Sequence, residues 1–250
     1  MIALENKLLD YFITIFIKRE PIQIDENIRN FIKYLRLPVV VSVYQNEAFK
    51  NPVVAKQQGG LFRLVREDNF ENIYKKTELK LILSLSNKDF PYLDINKDKF
   101  ENNFTATYMS GDKTKILEHI KALTEDSDKV EIYDKYLFFD NVRNNNHIES
   151  HYSVLFLNHI LSISSNIKIQ CYDKKQNNKK GDETNRIRLR IAKFSNISFI
   201  SFDHQNLNEH DRYIKIYKNN TLKYEIILSS GIFNILNPSK DISYIVRIIN

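Results

Sequence analysis

Apolar and polar positions along the chain change rhythm near its middle. Leu4 to Ile17 is an almost unbroken apolar stretch with charges at Glu5, Lys7 and Asp10, and it reads as a buried or amphipathic helix. A second helix is expected over Asp25 to Leu35, with Asp25 as its cap and Pro38 enforcing its end. The β-branched run "PVVVSVY" (Pro38–Tyr44) then reads as a buried strand, as do "GGLFRLV" and "ELKLILSLS", with "NFENIYKK" a short helix between those two. Asp112 to Leu123 places Ile116, Leu117, Ile120 and Leu123 at helical spacing. The polar run "TEDSDK" that follows marks the expected domain boundary, giving an α+β domain over 1–124 and a second domain over 125–250.

Beyond that boundary strands and helices alternate. "KVEIYDKYLFF" is a strand, "ESHYSVLFLNHILSI" a helix and "NIKIQCY" a strand; a helix near Asp182–Phe194 leads to the strand "NISFISF". Three more strands close the chain: "RYIKIYK", "KYEIILSS" and "ISYIVRI". Alternation of this kind implies parallel pairing through crossovers, with antiparallel strands added by the tail. The expected class is α/β, with a mixed, mostly parallel sheet flanked by helices. Ligands of such sheets collect at the carboxyl ends of the strands, where Asp134 and Asp203 fall. For Asp134 and for Tyr136 the competing reading is a strand-end turn; for His204 beside Asp203 it is a loop histidine bonded to backbone.

The 42% hydrophobic and 12% aromatic content fits a folded chain rather than a disordered one. The single cysteine, Cys171, excludes an internal disulfide framework and points to a reducing, cytoplasmic setting. The apolar run Tyr11–Ile17 is too short to span a bilayer, so membrane insertion is not expected. The net charge is +6, and one segment carries all of it. Lys168 to Lys193 holds nine basic residues, among them Lys174, Lys175, Lys179, Lys180, Arg186, Arg188 and Arg190, against three acids. A block of this sign suits nucleic acid or another polyanion, and equally suits a solvated loop.

Several chemistries are excluded by pattern. No cysteine pair, Walker loop, G-x-G-x-x-G or G-x-S-x-G occurs. His147, Glu149 and His151 stand in H-x-E-x-H order, not the H-E-x-x-H of zinc proteases, and no metal or other cofactor is expected. What remains is "LNEHDRYIKIYKN", in which His210, Asp211 and Arg212 stand at the mouth of a strand. Arginine offers bidentate donors to a phosphate, and a neighbouring histidine adds a donor that gains charge on protonation. Asp211 could equally pair with Arg212 or cap the turn.

The succession "VEIYDKYLFF", helix, "IKIQCY", helix, "HDRYIKIYKN" and "YEIILSSGIFNI" resembles the phospholipase-D-like superfamily. Within it, the likeness is greatest to the single-repeat, phospholipase-D-like C-terminal domain of MIT-domain proteins, whose relatives include modules of bacterial genome-conflict and phage-defence loci. The resemblance covers roughly Lys129 to Asn250. Active members use H-x-K-x-x-x-x-D, in which the histidine attacks phosphorus, the lysine holds phosphate oxygens and the acid supports the reaction. The resemblance therefore implies His210 as nucleophile, Arg212 as phosphate clamp, and Ser229, Ser230 and Asn234 as supporting polar groups. The acid position falls on Tyr217, and the chain holds one copy of a motif that active enzymes pair. The resemblance thus implies a phosphate- or nucleic-acid-binding module, degenerate in catalysis, that serves as a subunit of a bacterial phage-defence or related genome-conflict system. The alternative is a metal-independent phosphodiesterase or nuclease that acts as a homodimer. Attachment to anionic lipid ranks third, because no aromatic wedge accompanies the basic block.

Overall fold

The computed structural model of the chain describes residues 1–35, 37–45, 62–102, 107–110, 112–134, 137, 152–162, 167–174, 197–202, 212–237 and 242–249. The chain forms two compact units, Met1–Thr107 and Tyr108–Asn250.

The first unit is built on strands β1 (Ile2–Leu4), β2 (Val39–Ser42), β3 (Phe62–Val65), β4 (Ile82–Ser84) and β5 (Tyr92–Asp94), ordered β3-β2-β1-β4-β5. Every one of these pairings is parallel. The α+β expectation for this half is thereby corrected: the sheet is the wholly parallel one of an α/β fold. Its central strand was also misread, because Ile2–Leu4 is strand and helix α1 covers Asn6–Ile13, extended by a π-helical turn over Thr14–Lys18. Ile2, Ala3 and Leu4 have no solvent exposure, as expected of a strand paired on both sides within a parallel sheet. Helix α2 (Glu26–Tyr34) begins where the sequence placed it, with the Asp25 carboxylate accepting from Asn27 N–H at 2.8 Å. The "NFENIYKK" segment is a 3₁₀ helix, Phe70–Lys76, capped by Asn69. Two further strands, β6 (Lys99–Asn102) and β7 (Thr107–Ser110), escaped the sequence reading along with β5.

The second unit opens with α3 (Lys113–Thr124), capped by Asp112. This helix lies ahead of "TEDSDK", where the sequence suggested a boundary, and it packs within the second unit. His119 bonds Tyr244 Oη at 2.6 Å, and Lys113 Nζ donates to the Asn237 carbonyl. Then come β8 (Lys129–Asp134), α4 (Tyr152–Leu161), β9 (Lys168–Lys174), β10 (Ile197–Phe202), β11 (Arg212–Lys218), β12 (Thr221–Leu228), a 3₁₀ turn over Ile232–Ile235, and β13 (Ser243–Ile248). The strands run in the order β10-β9-β8-β11-β12-β13, with β7 next to β13. Pairings of β8 with β9 and of β9 with β10 are parallel; those of β8 with β11, β11 with β12 and β12 with β13 are antiparallel. The expected mostly parallel sheet is therefore a mixed one in which antiparallel pairings outnumber parallel ones among those just given, because "RYIKIYK" enters antiparallel to β8. The expected helix near Asp182–Phe194 lies outside the described residues.

Local chemistry explains the junctions. Asn219 and Asn220 both take positive φ, 52° and 61°, and form the two-residue turn between Lys218 and Thr221. Asparagine tolerates that region, and paired positive φ values match the twist of a hairpin. The sheet has one dry face, carrying Val130, Ile132, Ile169, Cys171, Ile214, Ile216, Ile226, Leu228, Tyr244 and Val246, each 4% exposed or less. Helices α3 and α4 belong to this side, with Phe156 and Leu157 fully buried. Phe156→Ala should lower the stability of the second unit by about 3–5 kcal/mol through lost burial and a residual cavity. Urea denaturation followed by circular dichroism measures it, and a loss under about 1 kcal/mol would mean the helix is not packed this way.

Candidate functional site

Asp134, the last residue of β8, has a side chain with no solvent exposure. An ionised carboxylate in such a place must be paired and hydrogen-bonded. Its Oδ2 accepts from the Ile232 N–H at 2.8 Å, and its Oδ1 faces Arg212 Nε at 3.9 Å. Register fixes the second contact, since Arg212 opens β11 directly opposite Asp134. Three separate pieces of chain therefore meet on one side chain: the carboxyl end of β8, the start of β11, and the turn that follows β12.

The turn itself is tight. A Cβ on Gly231 would stand 2.6 Å and 2.9 Å from ring carbons of Phe233, so a side chain here would force that ring to move, while its 3.5 Å distance from Asp134 Oδ2 is ordinary contact. The Ser230 hydroxyl accepts from the Asn234 side-chain amide, and Asn237 Nδ2 lies 3.5 Å from Asn234 Oδ1. Because an amide nitrogen only donates, the Ser230 oxygen is the acceptor in that bond and its own hydrogen is directed elsewhere.

The candidate residues thus separate. Arg212 and Ser230 flank the buried Asp134 and carry donors that can turn outward. The Arg212 contact with Asp134 is through Nε. Asn234 is 5% exposed and engaged at both ends of its amide, which makes it a brace for Ser230. Ser229 is taken up by β13: its oxygen accepts from Ser243 N–H, and its own N–H donates to the Ser243 carbonyl, both at 2.9 Å. Tyr217 lies at the far end of β11, opposite Lys129, with its hydroxyl donating to Glu131 at 2.8 Å. The tyrosine at the acid position therefore stands apart from the Asp134 cluster. His210, Asp211, Lys175, Lys179, Lys180, Arg186, Arg188 and Arg190 lie outside the described residues, as do Tyr136, His147, Glu149, His151, Asp203 and His204. Lys174 is described as the final backbone position of β9.

Asp134 is the group the sequence weighed but did not select. Its signal was its place at a strand end; its partners come from 98 residues further along in the case of Ile232, beyond the reach of any local pattern. Around Glu131 a second polar cluster forms on the opposite face. Burial alone would raise this carboxyl, but bonds from Lys129, Tyr217 and Tyr133 outweigh it and hold the pKa below its ordinary value. The same contacts, with burial as the larger cause, push the Tyr133 and Tyr217 hydroxyls well above theirs.

The first unit gathers polar groups at the carboxyl ends of its parallel strands, where the strand order reverses beside β1. Glu5 forgoes capping α1 and accepts instead from Leu85 N–H at 2.8 Å and the Ser84 hydroxyl at 2.9 Å, with Lys88 Nζ at 3.3 Å. These groups satisfy one another and lock β1 to β4.

No family model matches the chain, and no curated protein matches it in sequence. Among the described residues no group of three or more His, Cys, Asp or Glu is placed to hold a metal ion, and no helix is long and apolar enough to cross a membrane.

Replacing Asp134 tests the geometry directly. Asp134→Ala leaves a buried N–H and a guanidinium without their acceptor and should cost about 2–3 kcal/mol. Asp134→Asn keeps an acceptor for Ile232 and should cost about half as much. Equal effects in thermal unfolding would show that the charge, and not the hydrogen bond, dominates.

Proposed function

We propose that the second unit is a phosphate-binding module of the phospholipase-D-like kind that grips the backbone phosphates of nucleic acid. The observation that carries this reading is the guanidinium of Arg212, whose Nε lies 3.9 Å from a fully buried carboxylate at the carboxyl end of β8. A guanidinium carries a planar fork of donors, the geometry that suits phosphate oxygens. Ser230 supplies a hydroxyl on the same turn, and His210, two residues before Arg212, supplies an imidazole. The basic segment Lys168–Lys193, including Lys174, Lys175, Lys179, Lys180, Arg186, Arg188 and Arg190, extends the contact to further phosphates. No metal or organic cofactor enters this scheme. The resemblance suggests the role of an accessory subunit in a bacterial phage-defence or related genome-conflict system, with the first unit as a protein-docking domain.

Binding of this sort releases counterions, so affinity should fall steeply with salt. Fluorescence anisotropy with labelled single-stranded and duplex oligonucleotides measures it across low to moderate salt. Arg212→Ala should weaken binding by about 10–100-fold, the loss of a charge-assisted contact, and Arg212→Lys less. Affinity that is indifferent to salt and to Arg212 would overturn the proposal; the same salt-dependent binding to anionic vesicles but not to oligonucleotides would move it to a lipid headgroup. Turnover of an oligonucleotide that survives EDTA and disappears in His210→Ala would make the site that of a phosphodiesterase.

A further inference from the structure

The face of the second sheet that looks away from α3 and α4 carries two ordered rows. In the first, Glu131 on β8, Lys215 on β11, Glu225 on β12 and Arg247 on β13 are direct cross-strand neighbours, and their signs alternate. In the second, one pleat along, stand Tyr133, Tyr213, Ile227 and Ile245. Tyr172 on β9 extends this row, its ring stacked on Tyr133 at 4.1 Å, and Tyr133 stacks in turn on Tyr213 at 4.3 Å. All members of the apolar row are half-buried, and Arg247 is exposed. Tyr133 thus has a tyrosine ring stacked on either side, so the row presents its edges outward and is not a platform on which a nucleobase could lie flat.

We infer that this face is an isologous interface through which two copies of the chain associate. The argument is the symmetry of the charges. Let a two-fold axis run parallel to the strands, between β11 and β12. It exchanges β8 with β13 and β11 with β12 and keeps each row opposite itself. Lys215 then meets Glu225 of the second copy, Tyr213 meets Ile227 and Tyr133 meets Ile245, while Glu131, buried and bonded to Lys129, Tyr133 and Tyr217, takes no part. Each contact occurs twice, as closed two-fold symmetry requires. The other in-plane axis, across the strands, sets each charge against its own counterpart when it runs along the charged row, and sets the charged row on the apolar one when it runs between the rows. Aligned packing of two sheets is a standard way to bury such a surface. Strands spaced about 4.8 Å apart give a patch of roughly 400 Å² per copy, small for a specific interface, so the dimer should be weak and concentration-dependent. Both helix-bearing faces remain outward, and the two Asp134–Arg212 sites stay apart.

Within one copy the same alternation serves cross-strand pairing, as the 2.8 Å contact of Arg247 with Glu225 shows. The test separates the two roles. By sedimentation over micromolar to several-hundred-micromolar protein, the full chain should move from monomer to dimer. Lys215→Glu and Glu225→Lys, each alone, should be monomeric, since each sets like charges opposite each other twice. An equimolar mixture of the two should regain the dimer, because Glu at 215 of one copy then meets Lys at 225 of the other. A wholly intrachain role predicts no recovery on mixing. If either variant fails to fold, Ile245→Arg should abolish the dimer while leaving the melting curve of the monomer. A chain that is monomeric at all concentrations, variants that dimerise like the parent, or a mixture that stays monomeric would overturn the inference.

Discussion

Asp134 is the constraint on which the second unit turns, because a carboxylate without solvent has to find its partners inside the protein. It finds them in the Ile232 N–H and the Arg212 guanidinium. At 3.9 Å and an effective dielectric of about 20, the ionic contact is worth about 4 kcal/mol of gross attraction, most of it offset by desolvation. The consequence is positional more than energetic. The end of β8 must lie beside the start of β11, and the turn after β12 must come within hydrogen-bond reach of both. Gly231 leaves room for the Phe233 ring within that turn, and the bond between Asn234 and Ser230 braces it.

The same sheet separates its two faces by chemistry. One is uniformly aliphatic and lies under the helices, with His119 and Tyr244 as a bonded polar pair inside it. The other is a lattice of stacked tyrosines and cross-strand charges, in which Lys215 lies over Tyr133 and Tyr213 at 5.4 Å and 5.0 Å. Strict alternation along β8, β11 and β12 produces this separation, and a slip of one residue in register would exchange the two faces.

How much of this was legible depended on range. Helices α2 and α3 were readable because Asp25 and Asp112 announce their starts and the apolar positions recur at helical spacing. The β11–β12 hairpin was readable in its alternation. By contrast, β1 is three residues long and runs through Glu5 into an apolar helix, so no period separates strand from helix there. Strand β5 is as short, with a polar run on either side, and carries little signal of its own. Strand direction was the least accessible property: nothing local in "RYIKIYK" distinguishes a strand parallel to β8 from one antiparallel to it. At the site, Arg212 and Ser230 were nameable from their neighbours in sequence, whereas Asp134 became central only through contacts that the fold supplies.

That carboxylate also bears on what Arg212 can do. On the proposed reading, a phosphate would meet the Nη donors, while Asp134 lies on the Nε side of the guanidinium. Repulsion between carboxylate and phosphate then acts across the guanidinium plane. On that reading, the nearby carboxylate favours singly charged phosphodiester groups over a compact dianion. A lysine at this position could not be oriented by the same carboxylate and still present a planar fork. The buried acid therefore gives the arginine at position 212 a physical reason that a bare positive charge would not.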